Sequence, residues 1–321
     1  MTDSPQMRAI QIEEFGGPEV MALVELPDPE PGDGEVVVEV ARAGINFGDT
    51  HATRDDYLAK QELPLIPGGE ISGRTADGRR VAAFLPSGGY ASKVAVPEQW
   101  LVPVADAIDD DQAASLLVQG ITAHALVHRC ARLQEGETVV VQAAAGGTGG
   151  LAVQLAKRAG ARVIALASSE EKREQATQLG ADAAVDSRAE DLKEAILEAN
   201  GGEQVDAVLE MTGGATFDAC LRTLAPFGRH VVFGIASREQ NEVATGHLLR
   251  NSRSVIGFWL VHLVSRREEI AAIVGDLFSA VASGELKVSI GGVYPLSEAQ
   301  HAHEQLAGRK TTGKLLLDPT L

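Results

Sequence analysis

Residues 142–150 read QAAAGGTGG, a stretch almost free of side chains. Before it stands ETVVV, a β-branched run; after it stands LAVQLAKRAG, apolar at helical spacing and closed by Gly160. A strand, a glycine turn and a helix N-terminus let backbone N–H groups reach a pyrophosphate. Ala144, Gly146 and Gly149 take the three small positions of the dinucleotide fingerprint G-x-G-x-x-G, with alanine in the first; Gly147 and Thr148 lie between them. Tight strand–helix packing alone also calls for small residues, but the strand–helix alternation around the turn favours a bound dinucleotide.

The next strand ends about twenty residues on, where an NAD site places an acid against the ribose hydroxyls. Here the chain reads IALASSEEKRE, with Ser168 and Ser169 at the strand end and Lys172 one turn into the helix. Glu170 and Glu171 suit the first turn of any helix. Hydroxyls and a lysine accept a 2′-phosphate, so NADPH is the expected cofactor. The same residues also fit a serine N-cap followed by a solvated lysine. Phe233 and Gly234, at the end of RHVVFGI, complete the candidate cofactor set on this side. His124 and His128, four apart on a helix, could share one face as metal pairs do, but no cysteine or acid joins them at ligand spacing. His301 and His303, two apart, point in different directions.

Behind these residues stand elements of two kinds. The first hundred residues are β-rich: EVVVEVARAG and ASKVAVP read as strands, PEPGDGE and TADGRR as turns, with Asp77-Gly78 suited to a hairpin. From Asp109 the period becomes helical. From Thr138, TVVVQA, RVIALA, DAAVD, VDAVLEM and RHVVFGI alternate with helical stretches, which predicts a doubly wound parallel sheet covered on both faces. The helical RREEIAAIVGDLFSAVASG ends that domain, and the final KLLL can return to the first domain's sheet. The expected organisation is a discontinuous β-rich domain, residues 1–115 and 286–321, around an α/β Rossmann domain, residues 116–285.

At 321 residues the chain can bury two cores, and its formal charge of −17, from 45 acidic and 28 basic residues, opposes nucleic acid and anionic membrane. Polyanion partners are therefore not expected; the expected partner is a small-molecule substrate. Cys130 and Cys220, far apart, fit two intracellular thiols. No signal peptide or membrane span is read, and a cytoplasmic location is expected.

FGGPEV, AGINFGDT, LPLIPGGEISG, SLLVQGITAHALV, VQAAAGGTGGLAVQLAK and TTGKLLL follow one another in an order and spacing that resembles the zinc-independent quinone oxidoreductases of the medium-chain dehydrogenase/reductase superfamily. The similarity runs from Met7 to Leu317. It implies a GroES-like catalytic domain, a Rossmann domain of six parallel strands, a cleft between the two, and a homodimer formed through Rossmann edge strands near SVIGFWL (254–260). Zinc-dependent members carry a histidine within GHE; this chain has PGGE, with Gly69 in that place, and no cysteine precedes Cys130, so no metal site is expected. Glu70 remains as a structural carboxylate.

The family's N-F-x-D-x-Y pattern is met by Asn46, Phe47 and Asp49, and a second family tyrosine by Tyr57; His51 replaces the first tyrosine. The resemblance implies Asn46 as an amide at the nicotinamide edge, Tyr57 as hydroxyl donor to the substrate oxygen, and Arg309 as a contact to the adenosine phosphate. Ser187 replaces a tyrosine that often stacks near the 2′-phosphate. The expected activity is NADPH-dependent hydride transfer to a quinone or similar activated carbonyl. Reduction of an enone or enoyl thioester is an alternative, since GFWL (257–260) also resembles enoyl reductases. A non-catalytic NADPH-binding protein is a second alternative.

Overall fold

The computed structural model describes residues 6–321. Two compact units divide it: one holds the chain up to Gln119 and from Val274 onward, the other Gly120–Ile273. Those changeovers fall at 119/120 and 273/274, against the 115/116 and 285/286 expected from sequence. The second shift lies inside a single helix, Arg267–Ala282, so no break in local structure marks it.

The first unit begins with a hairpin of β1 (Gln6–Gln11) and β2 (Ala22–Pro27). Its main sheet is organised on β3 (Glu35–Ile45), eleven residues long and mostly β-branched or alanine at the inward positions. β4 (Glu70–Thr75) follows, then β5 (Arg80–Phe84), β6 (Lys93–Pro97) and β7 (Leu101–Pro103), all antiparallel to their neighbours. β4 and β5 meet in the Asp77-Gly78 turn, where Gly78 has φ +85° and supplies the left-handed conformation. Beneath the sheet, Val38, Val40, Ile45, Ile71, Tyr90 and Leu317 form one buried cluster.

The second unit contains β8 (Thr138–Val141), β9 (Arg162–Ala167), β10 (Ala183–Asp186), β11 (Val205–Glu210), β12 (Leu224–Val232) and β13 (Ser254–Gly257). They form one six-stranded sheet, all parallel, in the order β10-β9-β8-β11-β12-β13. Strand order reverses between β8 and β11, and ligands of such sheets bind in the crevice at that switch point, beyond the carboxyl ends. β8 is buried at all four residues, the pattern of a strand covered on both faces. β13 is an edge strand.

After β13 the chain returns to the first unit as β14 (Ile290–Pro295), the helix Ala299–Ala307 and β15 (Lys314–Asp318). β15 pairs antiparallel with β3, Leu315 opposite Ile45 and Leu317 opposite Ala43. The C-terminal KLLL thus completes the sheet, and β3 lies between β4 and β15.

A helical run carries the first unit's chain toward the second. It starts at Asp109, whose carboxylate accepts the Gln112 N–H at 2.7 Å while the Gln112 side chain accepts the Asp109 N–H at 3.0 Å. This capping box satisfies two donors the helix cannot. Asp109→Ala removes the first bond, and a loss of about 1 kcal/mol is expected. Urea unfolding followed by far-ultraviolet circular dichroism measures it; an unchanged midpoint would show that the cap contributes nothing.

Candidate active site

The glycine turn sits at the switch point of the parallel sheet. After β8 the chain turns sharply through Ala143, φ +48°, into the helix Gly147–Arg158, with Gly146 as its N-cap. No side chain caps that helix, so its first N–H groups stay open to a ligand. A Cβ on Gly149 would lie 2.2 Å from the Ala143 carbonyl oxygen, which no side chain can do; a Cβ on Gly146 would lie 3.1 Å from the same atom. Gly149 is therefore required by packing of helix on strand. Gly146, Gly147 and Thr148 are half-buried at the helix mouth, while Ala144 is buried. The turn fits the pyrophosphate of a dinucleotide: open donors, a helix dipole and room for the backbone to approach.

Side chains beneath the turn hold the crevice. Glu210, at the end of β11, is fully buried. It accepts the N–H groups of Thr212 (2.6 Å) and Gly213 (2.8 Å), and the Gln142 amide donates to its other oxygen. Gln142 Oε1 in turn accepts from Met211 and Thr212, each at 3.2 Å. The ends of β8 and β11 are thus tied together. Phe233 and Gly234 follow β12, with the Phe233 N–H bonded to the Glu210 carbonyl. Cys220 lies beside Gln142, and burial followed by the Glu210 charge pushes its thiol well up, so it is no nucleophile.

At the end of β9, Ser169 is the N-cap of the helix Glu170–Gln178 and accepts the Lys172 N–H at 3.3 Å. Its hydroxyl hydrogen stays available to an acceptor, so capping and phosphate contact are compatible. Ser168 and Lys172 are half-buried. Sequence reasoning passed over Arg173, which forms an ion pair with Asp186 at 3.4 Å, next to Ser187. Its signal was adjacency to Lys172. Arg309, in the first unit, is exposed and has φ +56° just beyond the helix Ala299–Ala307.

The first unit presents Tyr57 and Asn46. Tyr57 lies flat on His51, ring centres 4.7 Å apart and planes 20° from parallel. His51 is buried, and its Nδ1 meets the Asp56 carboxylate at 2.6 Å. The Asp56–His51 contact thereby fixes the ring on which Tyr57 rests. Burial raises the Tyr57 hydroxyl above its ordinary range, keeping it a proton-bearing donor, and no described residue hydrogen-bonds to it.

Asn46 follows β3 and is the N-cap residue of the short helix Phe47–Ala52. Its amide nitrogen donates to Glu70 at 2.9 Å and its amide oxygen accepts from Lys314 at 2.8 Å. Sequence reasoning identified Glu70 but not Lys314, and not the neighbouring chain of buried groups. Asp49 accepts the Asn46 backbone N–H and the Tyr90 hydroxyl, both at 2.8 Å. Because that hydroxyl proton is spent on Asp49, the 2.9 Å contact from Tyr90 to His303 Nε2 requires the proton to be on Nε2. His303 is buried and His301 exposed, as their spacing requires. Burial raises Asp49 from 3.8 to about 6 and lowers His303 from 6.5 to about 4.

The other histidine pair, His124 and His128, has ring centres 4.5 Å apart. Among the described residues no group of three or more His, Cys, Asp or Glu is arranged to hold a metal ion. Nor is any described helix long and apolar enough to cross a membrane.

Residues 32–106 match the family model described as the alcohol dehydrogenase GroES-like domain, and residues 147–279 that described as zinc-binding dehydrogenase. A GroES-like sheet joined to a Rossmann unit in this order defines a medium-chain dehydrogenase/reductase. The chain is 35% identical to the quinone oxidoreductase of Pseudomonas aeruginosa over 97% of its length and 99% of that protein's. It is 33% identical to a 2-haloacrylate reductase of Burkholderia sp, covering 97% and 98% of the two chains. The Escherichia coli quinone oxidoreductase crystallised with NADPH superposes with a TM-score of 0.92 at 33% identity, covering 98% of this chain and all of the other. The chain belongs to the quinone oxidoreductase family of the medium-chain dehydrogenases/reductases.

The two shifted groups predict an unusual pH profile of stability. Native Asp49 binds its proton more tightly than the unfolded chain, so its contribution falls as pH rises from 3.8 to 6. Native His303 binds its proton less tightly, so its contribution falls as pH drops from 6.5 to 4. The slopes oppose each other and the wild type is expected to be nearly flat between pH 4 and 6. Asp49→Asn keeps an oxygen acceptor for Tyr90 and removes one slope. Its melting temperature should exceed wild type above pH 6.5 and fall steeply below. Parallel melting curves for the two proteins across pH 4–8 would refute the assignment.

Proposed function

We propose that this chain is an NADPH-dependent oxidoreductase that reduces a quinone or similarly activated carbonyl without zinc. The observation that carries this is Tyr57: a half-buried phenol, pinned by a stacked ring, whose hydroxyl no described residue engages. A donor so fixed can stabilise negative charge developing on a substrate oxygen. The bound NADPH supplies the hydride. Residues 144–149 hold its pyrophosphate at the open helix end. Ser168, Ser169 and Lys172 receive the 2′-phosphate, Phe233 and Gly234 contact the cofactor beyond β12, and Arg309 meets the adenosine phosphate. Asn46 and Tyr57 orient the acceptor, whose oxygen takes its proton from the Tyr57 hydroxyl, and the half-buried phenol regains one from solvent. Gly69, where zinc-dependent members have a ligand histidine, leaves carbonyl polarisation to hydrogen bonds alone.

Reduction of an activated carbon–carbon double bond is the alternative reading, favoured by the 2-haloacrylate reductase among the relatives, since an acrylate carries such a bond. There the donor must hold an enolate oxygen before protonation.

NADPH oxidation, followed by the loss of nicotinamide absorbance with chelator present, against quinones, enones and an enoyl thioester separates the two. Turnover with quinones is expected. NADPH binding without turnover of any acceptor would leave a binding protein. Tyr57→Phe should lower kcat and kcat/KM together, slightly for quinones and on the order of a hundredfold for enoyl substrates; a change in KM alone would reduce Tyr57 to a packing contact.

Cofactor choice is tested separately. A charged hydrogen bond contributes about 1.5–3 kcal/mol, so Lys172→Ala should raise the NADPH Kd about ten- to a hundredfold and leave NADH nearly unchanged. Equal affinity of the unmutated protein for both cofactors would refute the phosphate pocket.

A further inference from the structure

Lys314 and Glu70 form an ion pair that is almost sealed from water, 1% and 0% exposed. Burying two charges is costly, and apolar replacements of such pairs are often neutral or stabilising. Stability alone is therefore a weak reason for this one. Its geometry supplies another.

β4 and β15 flank β3 and run opposite to it, so the first residue of each lies beside the last residues of β3. Those first residues are Glu70 and Lys314, and the residue after β3 is Asn46. Gly44 makes the approach possible: a Cβ there would stand 2.5 Å from a Glu70 carboxylate oxygen and 2.6 Å from its Cγ. The other carboxylate oxygen accepts the Val118 N–H at 2.7 Å, within a π-helical turn, Leu116–Gly120. Glu70 is thus held from two sides and cannot swing away.

Each partner has one chemical capacity. Lys314 only donates, and an ionised Glu70 only accepts. The Asn46 amide must therefore turn its oxygen to Lys314 and its nitrogen to Glu70; the reverse orientation would set like partners against each other twice. One Nδ2–H remains after these contacts. A cation on the amide oxygen polarises the group and strengthens that remaining donor. Asn46 as a residue keeps 8% of its surface exposed, against 1% and 0% for the two members of the ion pair.

We infer that Lys314 and Glu70 are positioning residues for the reaction: their ion pair locks the Asn46 amide in the single orientation that presents its free N–H to the substrate. This rests on the role given to Asn46 under the proposed function.

The test is a mutant cycle with the acceptor turned over fastest in the panel above. Asn46→Ala, Lys314→Met and the charge-free pair Glu70→Gln/Lys314→Met are each combined and compared. Lys314→Met should lower kcat roughly ten- to a hundredfold with the NADPH Kd, measured by cofactor fluorescence, within twofold of wild type. In the Asn46→Ala background the same change should cost less than twofold, because the amide it orients is gone. The double variant covers the case in which a lone buried Glu70 prevents folding. Independently of turnover, the Asn46 side-chain amide signals, identified in a ¹⁵N spectrum by their loss in Asn46→Ala, should shift in the charge-free variant. Folded variants with unchanged kcat, or losses that multiply with that of Asn46→Ala, would overturn the inference. Undiminished kcat in Asn46→Ala itself would overturn the role of Asn46, and the inference with it.

Discussion

The buried ion pair of Glu70 and Lys314 is the contact on which the geometry around Asn46 depends, because it joins pieces of chain far apart in sequence. Glu70 opens β4, Lys314 opens β15 near the C-terminus, and both meet the amide of Asn46. A pair enclosed this fully tolerates little displacement: moving either partner leaves an uncompensated charge in a dry site. The position of β15 against β3 is thus constrained twice, by the backbone ladder and by the charge. The short helix Phe47–Ala52 inherits that constraint through Asn46, its cap, and His51 and Asp49 ride on it.

In the second unit the fixing element is a pair of buried polar side chains. Gln142 and Glu210 join β8 and β11 across the point where strand order reverses, and both are buried. Parallel strands on either side of such a point have no helix lying over their carboxyl ends, so backbone groups there need side-chain partners. Gln142 and Glu210 satisfy three of them, at Met211, Thr212 and Gly213. The glycine turn then rests on a rigid base, and Gly149 lets the helix sit directly on the Ala143 carbonyl.

Much of this was legible in the sequence, for physical reasons. The parallel strands announce themselves as short β-branched runs because both faces are buried, and the glycine turn because no other residue fits at Gly149. Glu70 was recognisable through its motif. Lys314 was not, although it lies in TTGKLLL: the run does not show which of its side chains face inward, and only the pairing of β15 with β3 brings the lysine inside. Asp49 and His303 were visible singly, but their connection through Tyr90 escaped for the same reason, the contacts spanning 41 and 213 residues. Ser169 shows the opposite case. N-cap and phosphate contact were set against each other in the sequence, yet one hydroxyl can accept from Lys172 and still donate.

His51 is where this chain departs most clearly from the family pattern, and the structure gives the departure a physical content. An imidazole is shorter than a phenol and has a second nitrogen, and here that nitrogen is used: Nδ1 binds Asp56, the residue preceding Tyr57. The ring thus becomes a fixed shelf for Tyr57, whose flat stack limits the arc its hydroxyl can sweep. A tyrosine at this place would bring a second hydroxyl near that of Tyr57; His51 instead fixes the ring on which Tyr57 lies. Under the proposed function one hydroxyl is lost and the other more tightly held, an arrangement suited to acceptors that need one well-aimed hydrogen bond rather than two looser ones.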